Sequence, residues 1–113
     1  MKQKIMYMEQ KGTNSGEARI GRVTLMKATS TITYNGKKYH CHKDRNVNAN
    51  YYEEGTGTWY WFSHCQKDGM DSLEPVTVSI DDDVQKEYWE EIRKTPDLAG
   101  QSKYQSPGKG RAV

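Results

Sequence analysis

The run from Thr29 to Tyr34, the pair Asn35 and Gly36, and the run from Lys37 to His42 constrain this chain more than any other feature. Thr, Ile and Tyr alternate up to the turn, as a pleated strand requires, and Asn-Gly supplies the two positive-φ residues of a two-residue type I′ turn. The fold must therefore contain an antiparallel pair here. A second hairpin is predicted where Tyr51 to Glu54 meets Gly55, Thr56 and Gly57 and returns through Thr58 to Phe62. In the returning strand Trp59 and Trp61 share one face and Tyr60 and Phe62 the other, so it should be either central or covered on both sides.

Around these hairpins the remaining segments fall into short pieces. Ile5, Met6, Tyr7 and Met8 form a poorly alternating apolar run inside Lys4 to Lys11, which predicts a strand before the turn-rich stretch from Gly12 to Gly16. Ala18 and Ile20 differ in parity from Val23 and Leu25, which predicts a β-bulge at Gly21 and Arg22. Lys43 to Asn50 has no periodicity and is expected as a loop, whereas Val76 to Ile80 alternates cleanly and is expected as the final strand. From Asp81 to Lys94 the period changes: Val84, Tyr88 and Ile92 recur every four residues and Trp89 widens the stripe, predicting an amphipathic helix. Asp81 is its expected N-cap, Arg93 and Lys94 suit its C-terminal end, and Thr95 with Pro96 stops it.

Leu, Ile, Val and Phe together number only 15 of 113 residues, against eight Tyr and three Trp, so the core must be small and aromatic-rich. The expected fold class is α+β: an antiparallel, strongly bent sheet or partly open small β-barrel with one C-terminal amphipathic helix. Residues 1–96 are expected as a single domain, and 97–113, rich in Gly, Ser, Gln and Lys, as a disordered tail. Glu9, Gln10 and Lys11 interrupt the N-terminal apolar run before a signal-peptide core of about 7–15 residues could form, which points to a cytoplasmic protein with free thiols. No window approaches the roughly 18 apolar residues of a membrane span.

Charge is divided along the chain. Residues 1–50 carry ten Lys and Arg against three Asp and Glu, and residues 51–113 carry seven against twelve, within a net charge of +2. Such halves suit an acidic helix resting beside a basic sheet, or a basic surface for a polyanion.

All the His and Cys residues of the chain lie in two places, His40, Cys41 and His42, and His64 with Cys65. If the two strand ends were neighbours, these ligand types could hold Zn²⁺, although strand alternation splits His40 and His42 from Cys41 and the spacing matches no standard ligand knuckle. Cys41 or Cys65 beside a histidine would also supply the groups of a thiolate nucleophile, but nothing in the spacing fixes their geometry. Gly12, Gly16 and Gly21 are not spaced as a phosphate-binding loop, and Asp81, Asp82 and Asp83 read as a helix start rather than a cation loop. No cofactor is expected. Arg19, Arg22, Lys27, Lys37 and Lys38, interleaved with Tyr34, Tyr39, Tyr51 and Tyr52, are the ingredients of a nucleic-acid surface, where bases stack on rings and phosphates meet cations.

Several segments together resemble a family of short bacterial proteins of unknown function. In the first half they are Ile5 to Glu9, Gly16 to Val23, and Ile32 to Tyr34 with Gly36 and Lys37. In the second they are Asn50 to Tyr52, Tyr60 to Ser63, Lys67 to Gly69, Ile80 to Val84, and Glu87 to Trp89. The resemblance spans roughly residues 4–96, and His and Cys at 40–42 and 64–65 depart from the family pattern. Some members carry the name of a thiamine-diphosphate-dependent deoxyxylulose-phosphate synthase. That chemistry needs a cofactor cleft between large α/β domains, which 113 residues cannot build, and no diphosphate-Mg²⁺ motif is present. The expected function is a non-catalytic protein-interaction module of unknown oligomeric state, with a nucleic-acid-binding barrel and a zinc-binding protein as alternatives.

Overall fold

A computed structural model describes residues 2–11, 18–46, 49–72 and 75–107, with residue 27 and residues 42–46 described by their backbone alone. Six strands close into an up-and-down antiparallel barrel: β1 (Lys2–Gln10), β2 (Ala18–Met26), β3 (Thr31–Tyr34), β4 (Lys37–Asn46), β5 (Ala49–Glu53) and β6 (Trp59–His64). Each pairs with the next, and β6 returns to β1 through Met6 opposite His64 to Gln10 opposite Tyr60. Closure removes both sheet edges that an open six-stranded sheet would expose. Two further strands lie outside the ring. β7 (Val76–Ile80) runs parallel to the start of β2, and β8 (Lys103–Ser106) pairs antiparallel with β7.

The turn chemistry accounts for the barrel's tight corners. Asn35 and Gly36 take φ of 51° and 79° between β3 and β4, as the type I′ reading requires, and Gly55 and Gly57 take positive φ between β5 and β6. The expected loop over Lys43 to Asn50 is instead strand for most of its length. β4 continues to Asn46 and β5 begins at Ala49, with a register break between Cys41 and Asn46 that explains the missing alternation. The turn-rich stretch 12–16 lies outside the described residues.

Gly21 and Arg22 form no bulge against β1. The β1–β2 register runs unbroken from Lys2 opposite Leu25 to Glu9 opposite Ala18. The parity change has another cause: β2 is buried on both faces, against different partners along its length. Val23 and Leu25 point into the barrel with Met6, Met8, Ile32, Tyr39 and Phe62. Ala18 and Ile20 point outward into a second core with Tyr7, Val78, Ile80, Val84, Tyr88 and Trp89. β1 obeys the same rule, Met6 and Met8 inward and Ile5 and Tyr7 outward, which is why its apolar run does not alternate. In β6, Tyr60 and Phe62 pack inward and Trp61 outward, as covering on both sides predicts, while Trp59 remains 37% exposed.

The second core is roofed by the helical segment 82–92. It buries the expected stripe, Val84, Tyr88 and Trp89 with Ile92 at its margin, but its winding changes along its length. A 3₁₀ turn over Asp82–Val84 leads through one α turn at Gln85–Glu87 to a wider π turn over Tyr88–Ile92, closed by Arg93 N–H to the Tyr88 carbonyl at 3.0 Å. Asp81 is extended and gives no side-chain cap.

The expectation of a disordered tail is corrected over 97–107, where a 3₁₀ turn at Pro96–Leu98 precedes β8. Tyr104 stacks on Tyr88 at 5.8 Å between ring centroids and donates its hydroxyl to Asp71 at 2.6 Å, and Ser106 is buried against Ser72. Low hydrophobicity misled because two side chains, not a run, anchor the strand. Residues 108–113 lie outside the described residues. The Arg93 guanidinium lies 5.0 Å from both the Trp89 and Tyr104 ring centroids and bonds the Tyr88 hydroxyl at 2.9 Å. Gly69, at φ 77°, lets the loop close over it, since a Cβ there would meet Nη1 at 2.5 Å. Tyr104→Ala is expected to lower unfolding free energy by about 2 kcal/mol, measured by urea titration, because it removes a partly buried ring packed on the outer core and leaves Asp71 without that donor. An unchanged midpoint would show that β8 adds nothing to the fold.

Candidate functional site

β2 changes partner along one edge. Residues 18–20 pair with β7 and residues 24–26 pair with β3, so the sheet forks around Gly21, Arg22 and Val23. The fork opens onto one mouth of the barrel, the end carrying Gln10, Arg19, Tyr34, Lys37 and Tyr60. Between the β3–β4 turn and β7 it leaves a cleft of about 870 Å³, lined among others by Met8, Arg19, Tyr34, Tyr39, Tyr60 and Ser79. Mouths of barrels are recurrent ligand sites because the wall is rigid while the ends are not filled by neighbouring strands.

One carboxylate stitches the fork. Asp81 follows β7, and its N–H donates to the Ile20 carbonyl at 2.9 Å, tying the end of β7 to β2. Its Oδ1 accepts from Arg19 Nη1 at 2.7 Å, and its Oδ2 accepts from the Tyr34 hydroxyl at 2.5 Å. Strands β2, β3 and β7 thus meet at one side chain. Gly21 is required beneath it, because a Cβ would lie 2.6 Å from both Asp81 Oδ2 and Tyr34 Cε1. Burial, then the bond to Asp81, push the Tyr34 phenol above its ordinary value. Deeper in the mouth Tyr39 is buried, with its ring edge-on to Tyr60 at 4.9 Å, and burial likewise raises its phenol. Both tyrosines stay protonated at neutral pH. On the rim Lys37 lies 3.9 Å from Glu53, and Asp82 and Asp83 are exposed.

Of the residues expected to form a basic nucleic-acid face, Arg19, Tyr34, Lys37 and Tyr39 come together at the mouth cleft, whereas Arg22 and Lys38 are not part of its lining. Arg19 is held by Asp81 in the mouth, whereas Arg22 faces the opposite side of β2 and meets Glu87 at 3.0 Å and Asp83 at 3.8 Å. Tyr39 is core and Tyr34 is tied to Asp81 by its hydroxyl, while Lys37 and Lys38 are exposed on neighbouring positions of β4 that point to opposite faces. The side chain of Lys27 lies outside the described residues. Ion pairs between β2 and the 81–87 segment answer the charge division of the sequence internally.

The Cys/His constellation does not converge. β5 separates β4 from β6, with His40 opposite Tyr52 and Tyr52 opposite Trp59, so His64 sits five residues further along β6, roughly 16 Å at strand rise. His40 Nε2 instead lies 2.8 Å from Glu54, His64 Nδ1 lies 3.1 Å from Lys4 Nζ, and Cys65 Sγ faces the Ile5 carbonyl at 3.8 Å. Burial pushes the Cys65 thiol up, away from the thiolate that ligation or nucleophilic attack needs. Among the described residues no three His, Cys, Asp or Glu form a metal-holding group, and Cys41 is half-buried. The His42 side chain lies outside the described residues.

Sequence reasoning missed Gln10, Thr77 and Ser79 as cleft residues and read Asp81 as a cap. The parity change at Gly21 was the available signal, because it marks the strand where two cores, and hence two partner strands, exchange. Fold and site together define a small closed β-barrel with an appended two-stranded flap and a tyrosine-lined mouth that is open among the described residues. No protein-family model, curated protein or solved structure matches this chain.

Gly21→Ala should cost about 2 kcal/mol in a urea titration, since Asp81 or Tyr34 must move to admit the methyl group. A cost near zero would mean the stitch is slack. The raised Tyr34 phenol carries a signed consequence for pH. A group protonated more firmly in the folded state contributes stability below its unfolded value, near 10, and that contribution is lost as pH rises above it. Wild type should therefore lose stability above about pH 10 more steeply than Tyr34→Phe, read from unfolding midpoints between pH 8 and 11. Parallel curves would exclude Tyr34 as a contributor.

Proposed function

We propose that this protein is a non-catalytic interaction module of the bacterial cytoplasm that holds a segment of another polypeptide in the barrel-mouth cleft. The observation that carries this reading is a preformed, open cleft whose wall combines Tyr34, Tyr39 and Tyr60 with Arg19. Tyr and Arg dominate the energetics of protein interfaces because they join large contact area to directional hydrogen bonds. The Asp81 stitch adds rigidity, so little ordering cost falls on this side of the interface. The non-catalytic part of the reading is supported by the Cys65 thiol, which burial drives toward its protonated, less nucleophilic form. The resemblance to short bacterial proteins of unknown function belongs to this proposal and adds no activity to it.

The test is selection of a random peptide library on the full chain, followed by measurement of the selected peptides on Thr77→Trp and Gln10→Trp, which fill the cleft from two sides. Peptides should shift the amide resonances of Gln10, Tyr34 and Ser79 and bind the filled variants about tenfold or more weakly, the loss expected when a central contact is blocked. Peptides that bind both variants as tightly as wild type would remove the cleft from the proposal.

A further inference from the structure

We infer that the free edge of β8 pairs with β8 of a second copy of this chain, joining the two sheets about a two-fold axis at Tyr104; nothing in this depends on the mouth cleft. Every barrel strand has a neighbour on both sides, and β7 lies between β2 and β8. Among the described residues β8 alone is paired on one side only.

The ladder decides which groups of β8 face outward. Ile80 N–H donates to the Ser102 carbonyl at 2.8 Å, and the same register sets Val78 opposite Tyr104 and Val76 opposite Ser106. Opposed residues in an antiparallel pair alternate between those that exchange hydrogen bonds and those that do not. Ser102, Tyr104 and Ser106 therefore turn their main-chain groups toward β7, and Lys103 and Gln105 turn theirs away from it. The far side of β7 agrees, since Asp81 N–H reaches the Ile20 carbonyl on β2. The side chains of Lys103 and Gln105 are also exposed, whereas Ser106 is buried and Tyr104 half-buried in the outer core. What β8 presents is a short row of main-chain donors and acceptors, which another extended strand satisfies.

A second copy fits this row in one register. An axis at Lys103 sets lysine against lysine, and like charges directly opposite are destabilising. An axis at Gln105 sets Lys103 against Pro107 of the partner subunit, which has no N–H to give. An axis at Tyr104 sets Lys103 against Gln105 of the partner subunit, and each exchanges its N–H and C=O with the other. Gln105 Nε2 already donates to Thr77 Oγ1 at 2.6 Å, which leaves its Oε1 to accept from the ammonium of the partner's Lys103. On the opposite face Tyr104 meets its own copy, an aromatic cross-strand pair. Such an interface is isologous and closes at two copies, because it consumes the edge from which a longer assembly would grow. A strand of 4 residues gives a small contact, so the dimer is weak, with a dissociation constant on the order of 100 µM.

The test is sedimentation equilibrium of the full chain from about 10 µM to about 1 mM, concentrations that bracket this constant. Wild type should pass from monomer to dimer over that range, and the amide resonances of Lys103 and Gln105 should move with concentration. Gln105→Pro removes a donor that points away from β7, so the fold should keep its urea midpoint while the dimer weakens about tenfold or more. Gln105→Glu places a carboxylate opposite the partner's Lys103 and should tighten the dimer about fivefold at low salt, and Gln105→Lys should weaken it by a similar factor. A chain that stays monomeric throughout overturns the inference. So does a dimer that survives Gln105→Pro, or one whose strength ignores or reverses the order Glu, Gln, Lys at position 105.

Discussion

The antiparallel pairing of β1 with β2 is the constraint on which the rest of the structure depends. It runs eight residues on each strand without a register break, and both strands are buried on both faces. One face completes the barrel interior and the other forms the floor of the outer core. A chain short of aliphatic residues gains from this economy, since the same two strands nucleate two apolar clusters. The cost is that β2 must serve two neighbours on one edge, and it does so by exchanging β7 for β3 partway along. The fork, the mouth cleft and the need for Gly21 all descend from that exchange.

The split of charge along the sequence has a similar structural origin. Basic β2 and the acidic 81–87 segment face one another, and Arg19 and Arg22 reach opposite sides of the strand to different carboxylates. The Arg22 pairs are exposed and contribute little to stability on their own. Arg19 to Asp81 differs because Asp81 also accepts the Tyr34 hydroxyl and lies at a junction of three strands. The charge pattern is thus part of how the flap finds its place on the barrel, and a polyanion is not needed to account for it.

Much of the local structure was legible in the sequence. The Asn35-Gly36 hairpin, the Gly55 to Gly57 turn and the Val84, Tyr88 and Trp89 stripe rest on short-range rules, positive φ at defined turn positions and one apolar face per helix. What failed was set by distant partners. The parity change in β2 looked like a bulge because a single strand gives no sign that its two halves face different cores. Lys43 to Asn50 looked like a loop because a register break hides alternation. Lys103 to Ser106 looked disordered because its anchors, Tyr104 to Asp71 and Ser106 to Ser72, join residues more than thirty positions apart. The candidate site shows the same division: Arg19 and Tyr34 were singled out by type, but their use together required Asp81.

An aromatic core also shapes the site itself. Leu or Ile would seal the barrel ends with methyl groups, whereas tyrosine carries a hydroxyl that must find water or a partner. In a six-stranded barrel the interior is too narrow to satisfy many hydroxyls at its centre, so they gather at the ends. Tyr34 and Tyr60 do so at one mouth, where Tyr34 recruits Asp81 and through it Arg19. The shortage of aliphatic residues and the polar, tyrosine-lined cleft are then one fact seen at two levels. A substitution such as Tyr34→Phe therefore acts on both, since it keeps the ring that fills the barrel end and removes the bond that holds the fork.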